Sequence, residues 1–120
     1  YCCGERGNGV SFSIDDLRDP LFVYGSLRDG NTQKAVIKRE FINPRRAMIK
    51  DFIKSPIDID GVEHQSIEYM QDSGGIIEGF VLEVTLDELR RIDEYETNAY
   101  ERVVVCLTNS RKAWVYIKRD

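Results

Sequence analysis

The sequence has few of the residues from which metal sites and disulfide frameworks are built. Its 120 residues include one histidine, His64, and three cysteines, Cys2, Cys3 and Cys106. A single histidine nearly excludes a histidine-based metal site. An odd cysteine count with two neighbours fits neither a disulfide framework nor a Cys-x-x-Cys metal pair. We therefore expect no metal, a reducing and hence cytoplasmic location, and structural roles for His64 and Cys106.

Long apolar runs and an excess of positive charge are also missing. No window approaches the roughly 18 apolar residues of a membrane-spanning helix, and the formal net charge is −4. Proteins that bind nucleic acids usually display a basic face. The basic residues that do cluster, Lys38, Arg39, Arg45 and Arg46, are best interpreted as solvated surface. We expect neither a membrane nor a nucleic acid as a partner.

What the sequence does have is enough for one folded domain. Apolar residues make up 42% and charged residues 32% of the chain, as is usual for globular domains. The opening stretch YCCGERGNGV has little apolar periodicity. We interpret residues 1–20 as a lead-in that is either flexible or cut from a longer chain. Residues 21–120 are predicted to form the domain.

Strand signals outnumber helix signals along that domain. Residues 21–24 form a short apolar run that enters a glycine loop, and a modest helix follows in NTQKAVIKREF, with Asn31 or Thr32 as its N-cap. Residues 46–54 and 65–70 mix apolar and charged side chains as half-buried strands do. These patterns favour an α+β fold dominated by its sheet.

The second half of the chain gives clearer signals. GIIEGFVLEV is a strand in which Gly79 indicates a bulge or a close backbone approach. TLDELRRIDEYE is a helix opened by a capping box of Thr85 and Glu88. YERVVVCL and AWVYIK, joined by the turn-forming TNSRK, are predicted to pair as a hairpin.

Glu96 falls on the apolar face of the second helix. Leu86, Leu89 and Ile92 define that face. Measured from the first of them at about 100° per residue, the other two lie at about 300° and 240°, and Glu96 lies between them at about 280°. A carboxylate that faces a core needs a partner and has a raised pKa. A raised pKa suits a general base that works near neutral pH.

The neighbouring carboxylates point elsewhere on this projection. Glu88 and Glu94 are expected to face solvent, and Asp93 to lie at the inner edge of the apolar face. The alternative role for Glu96 is structural, with its carboxylate bonded to backbone amides or to a cation such as Arg102. The pattern alone leaves both roles open.

The glycine loop after the first strand, in LFVYGSLRDG, is a second candidate for function. Glycine lets the backbone approach a ligand, and successive N–H groups in such a turn can bind an anion. Residues 24–27 are therefore a candidate cradle for a carboxylate. On pattern alone, a plain strand-to-helix turn is favoured.

Two reactive interpretations of this loop fail on single residues. A nucleophile elbow needs glycines two residues on either side of the serine, whereas Tyr24 and Arg28 flank Ser26. A Walker A loop needs a lysine where this chain has Asn31. Serine hydrolysis and nucleotide binding are both disfavoured.

Five stretches taken in order carry a family resemblance. FVYGSL, EGFVLEV, LRRIDEYE, YERVVV and AWVYI resemble the γ-glutamylcyclotransferase family, and the resemblance covers roughly Leu21 to Ile117. The resemblance is strongest to its compact AIG2-like and γ-glutamylamine cyclotransferase branch. It implies an α+β fold with a compact, mixed, barrel-like sheet and a few short helices.

The resemblance also implies roles for particular residues. The base would be Glu96, which ends the motif DEYE and which the helical projection indicates independently. Plausible pocket residues are Tyr100 and Tyr116, for which a core role is equally open. The loop that binds the glutamyl part of the substrate, through backbone amides on its α-carboxylate, would be Tyr24, Gly25, Ser26 and Leu27.

The implied activity is a cyclotransferase reaction without metal or cofactor. Glu96 would take a proton from the α-ammonium of a small γ-glutamyl compound, the amine would attack the γ-carbonyl, and 5-oxoproline would form as the amine leaves. Fixed geometry favours such closure, because well-oriented intramolecular reactions reach effective molarities of about 10⁵ M or more. The resemblance does not indicate which amine leaves or whether the chain forms oligomers.

The chain departs from the family in its middle segment. Where family members often have an apolar, proline-bearing stretch, this chain has the charged KSPIDIDGVEHQSIEY. This departure and the extra N-terminal stretch leave room for a second hypothesis, in which the same fold binds a small carboxylate or a protein partner without turnover.

Overall fold

The computed structural model describes residues 18–119, so the predicted lead-in lies almost entirely outside the described residues. The two helices are α1 (Gly30–Val36) and α2 (Leu86–Glu96). The strands are β1 (Asp19–Val23), β2 (Arg45–Lys50), β3 (Phe52–Lys54), β4 (Ile57–Ile59), β5 (Val62–His64), β6 (Ile67–Tyr69), β7 (Ile76–Val84), β8 (Tyr100–Cys106) and β9 (Lys112–Lys118). The α+β prediction is confirmed.

A five-stranded sheet in the order β2-β7-β1-β9-β8 forms the centre of the fold. Its strand pairs are antiparallel except β1 and β9, which run parallel. The sheet is not closed by a continuous ladder. Its two edges meet at an isolated bridge between Ile49 and Leu107, so the shape approaches the predicted barrel without completing it.

Both faces of the central sheet are buried, as the alternation along β1 shows. Phe22 packs with Ile49 and Val115 inside the curved sheet. Leu21 and Val23 point to the other face, where the helices cover them. Successive side chains of a strand face opposite sides, so this short strand is apolar throughout. Its end is held rigidly, and the loop that follows is positioned by it.

Helix α2 begins with the predicted capping box of Thr85 and Glu88. Two expectations for this helix are wrong. Glu88 is buried rather than solvated, because the Arg39 guanidinium binds its carboxylate with Nε–Oε2 at 2.6 Å. Leu86 is 44% exposed. The buried face is therefore centred near Leu89 and turned away from the first residue of the helix.

Helix α1 begins two or three residues earlier than predicted. Its N-cap is Asp29, whose carboxylate accepts a hydrogen bond from the Thr32 N–H at 3.1 Å, and neither Asn31 nor Thr32 is the cap. Aspartate is among the best N-cap residues, and the glycine after it had hidden the signal. The N-terminus of α1 thus already carries a carboxylate, which agrees with the rejection of a phosphate-binding loop.

The predicted β8–β9 hairpin is confirmed, with Val103 opposite Val115. Gly79 marks a close approach, since an added Cβ would collide with the carbonyl oxygen of Val23. Cys106 is disulfide-bonded, a pairing that was not predicted from the odd cysteine count, which indicated no disulfide framework. The other two cysteines lie outside the described residues.

The charged middle segment folds as small strand pairs that the sequence did not predict in full. β4 and β5 form a hairpin whose turn contains Asp60 and Gly61, both with positive φ. β3 and β6 pair beside it. No helix within residues 18–119 has the length and apolar character needed to cross a membrane.

Candidate functional site

A cavity of about 400 Å³ lies where β1, α2 and the β4–β5 hairpin meet. We call it the main cavity because the predicted site residues line it. It brings together every site residue that the sequence indicated, although these lie up to some ninety positions apart. They are Tyr24, Gly25, Ser26, Leu27, Glu96, Tyr100 and Tyr116. Their functional roles stay predictions, whereas their position around one cavity is observed.

The loop forms one wall because β1 ends at Val23 and a 3₁₀ turn follows at once. That turn spans Ser26–Arg28. Ser26 and Leu27 are its first residues, so their N–H groups have no acceptor within it. Leu27 is buried and anchors the turn to the core. The arrangement leaves backbone donors next to the cavity.

Glu96 lines the same cavity as the last residue of α2. Burial raises the pKa of its carboxyl from 4.5 to about 7. The negative end of a helix dipole also disfavours an ionised carboxylate at this position. Among the described residues, no hydrogen bond or ion pair engages the Glu96 side chain. A carboxyl with this pKa can accept and return a proton near neutral pH.

Arg102, the cation that could have paired with Glu96 in a structural role, binds another carboxylate. Arg102 donates from Nη2 to Oδ2 of Asp93 at 3.0 Å and also stacks on the Trp114 ring, 4.3 Å from its centroid. Asp93 lies one turn before Glu96 on α2. The structural alternative for Glu96, a pair with Arg102, is therefore not formed.

Three tyrosine hydroxyls surround the Glu96 side of the cavity, and each donates to another acceptor. Tyr24 donates to the Tyr116 carbonyl oxygen at 2.6 Å, Tyr100 to the Gln65 carbonyl oxygen at 2.7 Å, and Tyr116 to Oδ1 of Asp93 at 2.5 Å. Burial raises the pKa of all three phenols, that of Tyr100 to about 12, and the charge of Glu96 adds to each shift.

Other lining residues were not predicted. Tyr95 shares a 2.8 Å hydrogen bond with the Ser26 hydroxyl and so ties α2 to the loop. The β4–β5 hairpin and the residue after it contribute Ile59, His64 and Gln65. The Asp-Gly pair at residues 60 and 61 is a strong hairpin signal, and it could have indicated that this segment folds back over the loop.

Neither a metal centre nor a catalytic serine is supported. Within residues 18–119, no group of three or more histidine, cysteine, aspartate or glutamate side chains could hold a metal ion. The Ser26 hydroxyl bonds to a tyrosine and not to a histidine. The site combines the backbone donors of the loop with the buried carboxyl of Glu96, and Glu63 also lines the cavity.

Comparison with known proteins identifies the family. The family model described as gamma-glutamyl cyclotransferase, AIG2-like, matches residues 21–120. No protein with a curated function matches significantly.

Solved structures show the same fold. The solution structure of an Arabidopsis thaliana protein is 27% identical, with 91% of this chain aligned to 74% of that one and a TM-score of 0.66. A second Arabidopsis thaliana solution structure is 26% identical, with 90% of this chain aligned to 66% of that one and a TM-score of 0.68.

A structure titled gamma-glutamyl cyclotransferase is 15% identical, with 87% of this chain aligned to 68% of that one and a TM-score of 0.65. At this identity the likeness concerns the fold. The family model covers most of the chain, and the resemblance seen in the sequence is confirmed. The chain belongs to the AIG2-like γ-glutamyl cyclotransferase family.

Proposed function

We propose that this protein is a cofactor-independent cyclotransferase that converts a small γ-glutamyl compound into 5-oxoproline and a free amine. Family membership supports a cyclotransferase enzyme in general terms. The observation that supports the specific proposal is the main cavity, whose lining includes both the donor-bearing loop and Glu96. Its volume of about 400 Å³ suits a ligand of dipeptide size.

In this proposal the loop holds the substrate and Glu96 moves the proton. The N–H groups of residues 25–27 bind the α-carboxylate of the glutamyl part. Glu96 accepts a proton from the α-ammonium, and the freed amine attacks the γ-carbonyl carbon. The new C–N bond closes the five-membered ring. The bond to the leaving nitrogen then breaks as Glu96 gives its proton to that nitrogen. The ring nitrogen loses its second proton to the regenerated Glu96 carboxylate, which passes it to solvent.

The pKa of Glu96 supports both halves of this task. A carboxyl whose pKa is near 7 is partly ionised at neutral pH, so it can accept a proton. The Glu96 carboxylate is basic enough to take up a proton, and the protonated carboxyl is acidic enough to protonate a departing amine. An ordinary glutamate, with a pKa near 4.5, would be a much poorer base.

The test is an assay for 5-oxoproline with a panel of γ-glutamyl amines, γ-glutamyl amino acids and glutathione. Wild type should turn over at least one of them, and Glu96→Gln should lose activity by about 10²-fold or more, in the range typical of a general base. Glu94→Gln is the matched control, because Glu94 is exposed on the same helix. It should keep wild-type activity.

Two results would contradict the proposal. Full activity of Glu96→Gln would remove the assigned base. Binding of γ-glutamyl compounds without release of 5-oxoproline would favour the second hypothesis, a binding module for small carboxylates. The cytoplasmic location also stays a prediction. It was inferred from a cysteine count that indicated no disulfide framework, whereas Cys106 is disulfide-bonded. Cell fractionation is its test.

A further inference from the structure

A second cavity of about 280 Å³, the side cavity, adjoins the main cavity. Tyr24 and Gln65 line both. The two spaces are therefore separated by one side chain from the loop and one from the segment that follows β5. Nothing in the proposed chemistry uses the side cavity so far.

The partition between the cavities is thin at Gln65. This residue lies directly against the loop, since a Cβ placed on Gly25 would be 3.8 Å from the Gln65 Cβ. The backbone of Gln65 is fixed by the hydrogen bond from Tyr100. Its side chain is exposed. Displacement of this exposed side chain would connect the two cavities.

The side cavity carries two cations that lack acidic partners. Arg28 and Lys54 line it, and neither forms an ion pair within 4 Å in the described part of the chain. The guanidinium of Arg28 donates from Nε to the Gly25 carbonyl oxygen at 3.2 Å, which holds it beside the loop and leaves its terminal nitrogens available. Glu78 also lines the cavity, so the net charge there is positive.

We propose that the side cavity is the subsite for the leaving amine and that Arg28 and Lys54 favour leaving amines that carry a carboxylate. This inference rests on the proposed function. With the glutamyl part in the main cavity, the leaving group points outward from the γ-carbonyl. In a γ-glutamyl amino acid, only two bonds separate the scissile nitrogen from the carboxylate carbon. Guanidinium groups bind carboxylates through charge-assisted hydrogen bonds.

The substrate class is then γ-glutamyl amino acids and peptides, in preference to uncharged γ-glutamyl alkylamides. The decisive pair of substrates is γ-glutamylalanine and γ-glutamylalaninamide, which differ in the charge of the leaving group and hardly in size. Wild type should favour the acid in kcat/KM by about tenfold, equivalent to about 1.4 kcal/mol. Arg28→Gln and Lys54→Gln should each reduce this preference several-fold, because each lowers kcat/KM for the acid more than for the amide.

Lys50→Gln is the control, since Lys50 is an exposed cation on β2 that lines neither cavity. Equal kcat/KM for the acid and the amide in wild type would overturn the inference. An equal loss for both substrates in the Arg28 and Lys54 variants would also overturn it, because it would indicate a general disturbance of the loop.

Failure of the proposed reaction can be told apart from failure of the subsite. Calorimetric titration of the Glu96→Gln protein with the same two compounds measures binding without turnover. Tighter binding of the acid, lost in a Glu96→Gln/Arg28→Gln double variant, supports the subsite even if wild type releases no 5-oxoproline. Equal binding of both compounds refutes it.

Discussion

Replacing Glu96 by glutamine should stabilise the protein in a manner that depends on pH. The carboxyl has its ordinary pKa of about 4.5 in the unfolded chain and a pKa of about 7 in the folded one. Folding therefore favours the protonated form. The stability that this group contributes is fully present below pH 4.5 and is lost as the pH rises through 7. Glutamine resembles the protonated form and does not titrate.

The magnitude follows from the two pKa values. A rise from 4.5 to about 7 corresponds to about 3 kcal/mol, at about 1.4 kcal/mol per pKa unit. Because the carboxyl keeps some contact with solvent, we take this figure as the upper bound. Glu96→Gln should raise the free energy of unfolding by about 2 kcal/mol more at pH 8 than at pH 5.

Urea unfolding at both pH values, followed by circular dichroism, measures this difference. Glu94→Gln should show no such pH dependence, because its side chain is exposed. A Glu96→Gln protein whose stability change is the same at pH 5 and pH 8 would refute the reasoning. It would mean that the carboxyl is solvated or paired and has no raised pKa.

Other predictions concern the reaction and the scaffold. For wild type, kcat/KM should rise with pH through about 7 and then level off, because the base must be ionised; a profile flat from pH 5 to 8 would contradict this. Gly79→Ala should destabilise the fold by about 2 kcal/mol or more, since the new Cβ meets the Val23 carbonyl. Gly25→Ala, which has room for a Cβ, should change the thermal midpoint little. Glu88→Gln should cost about 1–2 kcal/mol, because it weakens both the Arg39 pair and the α2 cap; unchanged urea unfolding would show that solvent screens the pair.

The sequence predicted the local features well because local chemistry determines them. The capping box of Thr85 and Glu88 depends on four consecutive residues, and the β8–β9 hairpin on a short turn between two β-rich runs. The inward position of Glu96 followed from helical geometry alone. These features need no knowledge of the rest of the chain.

Predictions from the sequence failed where a residue far along the chain determines burial or contacts. Glu88 was expected to face solvent, yet Arg39, 49 positions away, makes its burial favourable. The cavity contacts of Gln65 depend on how the β4–β5 hairpin folds over the loop. The sequence pattern of the β4–β5 segment does not indicate that contact. The closeness of the sheet to a barrel likewise depends on one bridge between its edges.

The tyrosines around Glu96 have a consequence for selectivity. The hydroxyls of Tyr24, Tyr100 and Tyr116 each donate a hydrogen bond to an acceptor other than the Glu96 carboxyl. The cavity thus offers an acceptor whose hydrogen-bonding capacity is open. An anionic group placed beside the Glu96 carboxylate gains nothing from it, whereas a group that brings its own N–H donors relieves the cost of its burial. This preference arises because the neighbouring phenols donate their hydrogen bonds to other acceptors. A variant that freed one of these hydroxyls to donate to Glu96 would weaken the preference for ammonium, although the tyrosine does not contact the ligand.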